Sequence, residues 1–214
     1  MGIKQTFNKK FKEDKMHNLI TMIFNFVWAT VKIVLGIVKL SGFLCISAVY
    51  TFCLGVSKHM FFKGRKQSKT NEESNREYFL FIGIIITIAS VCYLVYMIRL
   101  FFISSETTYG MITAIAIAAM AFTELYFSIY GLIKARKQKD LLTEGLKAIN
   151  LVSALSAIAL TQTAILSFTT NGDMSKYNGI MGTIVGAISL LLGIYITIKA
   201  LKLIKQTNSI VDKD

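Results

Sequence analysis

Residues 19–62 read LITMIFNFVWATVKIVLGIVKLSGFLCISAVYTFCLGVSKHMFF. As one helix this block would be roughly 60 Å long, about twice the ~30 Å hydrocarbon thickness of a bilayer. It must therefore turn, and its only polar punctuation is Lys39-Leu40-Ser41-Gly42. The spacing predicts a helical hairpin, with helix 1 over residues 19–39 and helix 2 over residues 43–61.

Beyond it, four further apolar blocks follow at residues 78–103, 111–133, 142–168 and 180–204. The expected count is six spans, or five if segment 43–61 is re-entrant. A cleaved leader is not expected, because the first apolar block is far longer than the apolar core of a signal peptide. Composition agrees: 54% of the chain is hydrophobic and 17% charged, where soluble domains carry about 25% charged residues. There is no proline, so kinks are not expected. The glycines at 36, 42, 83, 110, 131, 182, 186 and 193 suit close helix approach. Cys45, Cys53 and Cys92 lie inside apolar stretches, an odd and irregular set that argues against a disulfide framework.

A formal charge of +12 raises the question of nucleic acid. The basic residues, however, sit between the apolar blocks, so they read as topology signals and as contacts for anionic lipid. Lys4, Lys9, Lys10, Lys12 and Lys15 precede helix 1, and Phe7 and Phe11 could dip beside them into the headgroups. Lys58, at the end of helix 2, is grouped with Lys63, Arg65, Lys66, Lys69 and Arg76 of the loop after it, and Lys134, Arg136, Lys137 and Lys139 follow helix 4. Lys199, Lys202, Lys205 and Lys213 close the chain, so nineteen basic residues share one side against Lys39, Arg99 and Lys176 on the other. The positive-inside rule then places both termini in the cytoplasm, in a cell membrane. An odd number of spans would scatter this asymmetry.

Ionisable residues within spans are costly and are functional candidates by default. Lys32 lies in helix 1, Glu124 in helix 4 and Lys147 near the start of helix 5, with Asn25, Tyr50, Asn150 and Gln162 as neutral polar groups. Counting rise per residue puts Glu124, Tyr50 and Asn150 roughly 12–16 Å deep, with Lys147 one turn shallower. Glu124, Lys147, Asn150, Tyr50 and Lys32 therefore form the expected intramembrane polar layer. Glu124 would pair with Lys147 or Lys32, and Lys147 is the nearer cation by this depth count. Two plainer readings stand beside it: Lys147 snorkels to the headgroups, or the Glu124–lysine pair is an assembly clamp. No catalytic triad, phosphate-cradling glycine loop or spaced metal-ligand cluster occurs, so neither an enzyme nor a cofactor is expected.

Helix 1 carries Asn25-x6-Lys32-x3-Gly36-x4-Ser41. This resembles the first-helix pattern of the cation diffusion facilitator family of zinc and manganese exporters. Arg76-Glu77-Tyr78 is similar to that family's Arg-x-Glu after a basic cytoplasmic loop. Residues 142–160 resemble its fifth helix, and Asn178-Gly179-Ile180-x-Gly182 resembles the start of its sixth. The resemblance implies an all-α, six-helix membrane fold with both ends inside. It also implies a zinc site between helices 2 and 5, yet Tyr50 and Leu54 on one, and Lys147 and Leu151 on the other, stand at the ligand positions. Ser47 replaces an upstream Asp, and only Glu144 at the cytoplasmic edge remains acidic. Zinc requires three or four N, O or S ligands, so no metal site is expected. The family's C-terminal domain has no counterpart in the polar tail from residue 205. The expectation is a degenerate relative with a transport-related role, its substrate ion unassigned and its assembly open to a homodimer. The alternative is a non-transporting assembly or regulatory protein on the same fold.

Overall fold

The structure, a computed structural model, describes residues 2–67, 72–103, 109–135, 140–169 and 172–211. The connections holding Ser68, Lys69, Thr108, Arg136, Lys137, Lys139 and Asn171, and Lys213 at the end, lie outside the described residues, as do the side chains of Phe7, Phe11 and Lys134. Six helices follow in order: α1 Gly2–Val38, α2 Gly42–Gln67, α3 Glu72–Phe102, α4 Met111–Ala135, α5 Leu141–Thr169 and α6 Ser175–Val211. All six contain a stretch long and apolar enough to cross a membrane, so the chain is an all-α multi-pass membrane protein.

The helices outrun the apolar blocks. α1 begins at Gly2 and α6 continues to Val211, because the polar flanks contain good helix formers such as Lys, Gln and Leu and no proline. The segment before residue 18 and the segment after 204 are thus helical, where the sequence pattern suggested only polar ends. α2 likewise reaches Gln67, six residues beyond the expected stop.

The predicted hairpin turn is formed at Leu40, whose φ of 50° lies in the left-handed region. The Ser41 N–H returns to the Gly36 carbonyl at 2.8 Å, closing the last turn of α1. Ser41 then caps α2, accepting the Leu44 N–H at 3.3 Å, while its hydroxyl shares a 2.7 Å hydrogen bond with Tyr109. Asp140 caps α5 in the same way, accepting from the Thr143 N–H at 3.3 Å and hydroxyl at 2.7 Å.

α3 packs along α6, α4 along α5, and α1 along α2. α2 and α5 are the central helices, with 56% and 67% of their spans buried against 28% for α1. The α3–α6 contact is made at backbone level. A Cβ on Gly83 would stand 2.8 Å from the Thr197 nitrogen, and one on Gly193 would stand 2.8 Å from the Thr87 nitrogen. The other glycines expected at helix contacts also face neighbours, except Gly110, which has nothing within 4 Å.

The chain alternates direction, so the termini and the α2–α3 and α4–α5 connections share one end of the bundle, the basic end. There Arg65 pairs with Asp140, and Lys199 pairs with Glu144 at 2.6 Å. Both are partly exposed pairs, worth little individually.

Candidate functional site

Four helices turn polar stripes inward. On α1 the buried residues Thr21, Asn25, Ala29 and Lys32 recur at helical spacing. Ser47, Thr51, Leu54 and Lys58 do so on α2, Ile117, Ala121, Glu124 and Ser128 on α4, and Asn150, Ser153, Ala157 and Leu160 on α5. Each stripe is one face of its helix, and the faces converge.

At their meeting point Lys32 Nζ lies 2.8 Å from Glu124 Oε2, with both side chains only 1% exposed. Lys32 also donates to the Thr51 hydroxyl at 2.8 Å. That hydroxyl gives its own proton to the Ser47 carbonyl at 2.9 Å, which fixes it as an acceptor toward the ammonium. Ser153 donates to the other carboxylate oxygen, Glu124 Oε1, at 3.1 Å. One ion pair and two hydroxyls therefore tie α1, α2, α4 and α5 together. Desolvating two such charges costs several kcal/mol each, and only good geometry with additional hydrogen bonds offsets it. Both conditions are met here.

The expected polar layer is only partly assembled. Lys32 and Glu124 meet, but Lys147 is not the partner of Glu124. It lies six residues before Ser153 along α5, half-buried, with interactions of its own. Asn150 is buried against Gly131 of α4, where a Cβ would meet its amide nitrogen at 2.6 Å. Tyr50 belongs to a different face. Its ring packs on Tyr93 of α3, centroids 5.0 Å apart. Its hydroxyl lies beside Ser90 and Ser189, near enough to interact, yet none of the three is in a well-formed hydrogen bond. The neighbouring residue Thr51 occupies the place expected of Tyr50.

Sequence reasoning missed Thr51, Ser153 and Lys58. The first two carry a signal, since a hydroxyl at helical spacing from other small polar residues marks an inward face. Lys58 was counted among the loop cations; it is instead buried in α2, 2% exposed. The apolar run Met60-Phe61-Phe62 after it is the sign that the span continues.

Of the positions that the resemblance assigns to zinc, Tyr50 and Leu54 are buried packing residues and Lys147 is a half-buried cation. Glu144, the remaining acid, is held by Lys199. Among the described residues, no group of three or more His, Cys, Asp or Glu side chains is placed to hold a metal ion. No protein-family model matches this chain, and no curated protein matches it in sequence.

Proposed function

We propose that this chain is a transport-related protein of the cell membrane, with both termini in the cytoplasm, whose working part is the Lys32–Glu124 core. The observation that carries the reading is a buried charge pair shared by four helices, with buried polar side chains on the helix faces that lead from it. Asn25, Lys58, Ser128 and Asn150 lie between the pair and the basic end, and Ser47, Ser156 and Thr161 lie toward the other end among Leu44, Ile117 and Leu160. Charged groups inside a membrane commonly mark an ion or substrate path. The resemblance to cation diffusion facilitators supports the fold plan and the transport class, and the missing ligands argue against zinc as cargo.

A second reading is favoured by a specific observation: both oxygens of Glu124 are occupied, as in an assembly clamp. Flux in proteoliposomes separates the two, measured across a panel of ions under an imposed pH gradient. Transport predicts flux above empty liposomes that Glu124→Gln abolishes. Background flux in both proteins, with Glu124→Gln the less stable, would establish the clamp.

A further inference from the structure

The inward stripes do not end at the ion pair. Lys32 and Thr51 face each other across antiparallel α1 and α2, and the pairing holds along the hairpin. Gly36 faces Cys45, and Gly55 faces the Phe26 ring. Seven residues further toward the basic end, α1 presents Asn25 and α2 presents Lys58. Seven residues are close to two turns, or ~10 Å, so both return to the face carrying Lys32 and Thr51. Asn25 and Lys58 are each 2% exposed.

This second level contains donors without acceptors. The Asn25 amide nitrogen is buried and unpartnered, as is the indole nitrogen of Trp28, one turn along α1. Lys58 is in no ion pair or hydrogen bond among the described residues. The acid whose charge reaches it is Glu124, which is already bonded to Lys32. The buried Lys, Arg, Asp and Glu side chains among the described residues are Lys32, Lys58 and Glu124, two cations against one anion. A buried charge persists only when paired, and an ammonium, an amide N–H and an indole N–H are all donors.

We propose that Lys58, Asn25 and Trp28 form an intramembrane binding site for a small monovalent anion, which balances the excess charge beside the Lys32–Glu124 pair. The inference deepens the transport reading by naming the class of its substrate ion, and it rests on that reading for its role. Halide-sized inorganic anions and the phosphate of an anionic lipid share the required chemistry. Lys58 lies nine residues before Gln67 at the end of α2. With Lys58 and Asn25 each 2% exposed, the site favours a free ion over a headgroup.

Trp28 is the only tryptophan of the chain and reports on the site directly. The full-length protein in nanodiscs of zwitterionic lipid is titrated with sodium bromide at constant ionic strength. Bromide bound beside the indole is expected to quench Trp28 emission with a saturable phase that chloride competes away. Lys58→Met should weaken that phase by about tenfold or more, the loss of one charge-assisted bond, and Lys58→Arg should retain it. Asn25→Leu, which leaves every cation in place, should weaken it too and serves if Lys58→Met does not fold. Loss of the phase in discs containing anionic lipid, in a Lys58-dependent way, identifies a headgroup phosphate as the bound anion. Linear, non-saturating quenching, or a saturable phase indifferent to both Lys58→Met and Asn25→Leu, overturns the site. Saturable binding without flux leaves the site standing and removes the transport reading; flux without this binding does the reverse.

Discussion

Removing one member of the Lys32–Glu124 pair strands the other charge. With side chains 1% exposed, neither can reach solvent by rotating its side chain. Lys32→Met leaves Glu124 with the Ser153 hydroxyl alone, and Glu124→Leu leaves Lys32 with the Thr51 hydroxyl alone. In soluble proteins breaking such a pair costs about 3–5 kcal/mol. Two corrections lower the figure here. The unfolded chain in a membrane also finds polar partners, and hydrogen bonds between helices there average about 0.6 kcal/mol. Each single variant should therefore lose about 2–4 kcal/mol, less than the full soluble cost.

The double variant Lys32→Met with Glu124→Leu replaces both charges by apolar groups of similar volume. It should return to within about 1 kcal/mol of the native protein, since replacing a buried pair is often neutral or better. Coupling between the two sites should then be at least about 3 kcal/mol, well above the ~0.5 kcal/mol within which independent sites add. The assay is reversible unfolding in mixed micelles, followed by Trp28 emission and helix content. Glu124→Leu with Lys147→Met is the control, and it should show no recovery. Additive losses for Lys32 and Glu124, or recovery with Lys147→Met instead, would refute the assigned partnership.

Three other outcomes are expected. Single-cysteine labelling in intact cells should modify Thr108→Cys and Asn171→Cys and spare Ser68→Cys, and labelling of Ser68→Cys from outside would reverse the proposed topology. Calorimetry with zinc or manganese should detect no micromolar site that depends on Tyr50 or Lys147; a stoichiometric site lost on their substitution would restore a metal role. Gly193→Ala places a methyl 2.8 Å from the Thr87 nitrogen and 3.0 Å from its Cα, backbone atoms that cannot step aside. It should cost about 1–3 kcal/mol in thermal unfolding, while Gly110→Ala, with open space around it, should change little.

The hairpin and the six spans were legible because length leaves no choice: an apolar block of twice the membrane thickness must fold back, and only residues 39–42 allow it. Lys32 and Glu124 were legible as buried charges for the same reason. Which of Lys32 and Lys147 pairs with Glu124 was not. Depth did not decide it: α4 and α5 end within two residues of their expected limits, yet Lys147, the nearer cation by depth, is not the partner. A count along each helix also carries no rotational phase. Tyr50 and Thr51 are adjacent, ~100° apart around the helix, and that angle decides which faces Lys32 and which faces Tyr93. Lys58 was grouped with the loop charges because a cation three residues from an expected helix end resembles an interfacial charge; its burial shows only once α2 is seen to run on to Gln67.

The packing pattern gives the ion pair a particular mechanical position. α3 and α6 are locked at backbone level by Gly83 and Gly193 and hold none of the buried charges. The other four helices are two hairpins, α1 with α2 and α4 with α5, joined centrally where α2 packs on α5. Between α1 and α4 the backbones stay apart and the rings of Phe24 and Phe127 meet at 5.0 Å, so Lys32–Glu124 is the ion pair across the most open seam of the bundle. Whatever neutralises Glu124, or draws Lys32 away from it, removes the strongest link across that seam while leaving the α2–α5 contact as a hinge. For a clamp this link must hold permanently, and the seam should protect the amides of α1 and α4 equally with those of α2. For a transporter the link must break and re-form, so hydrogen exchange at residues 21–32 and 121–128 should run ahead of exchange in α3 and α6. Glu124→Gln should then accelerate exchange in those two segments alone. Uniform protection across all six helices, unchanged by Glu124→Gln, would leave the pair as a static clamp.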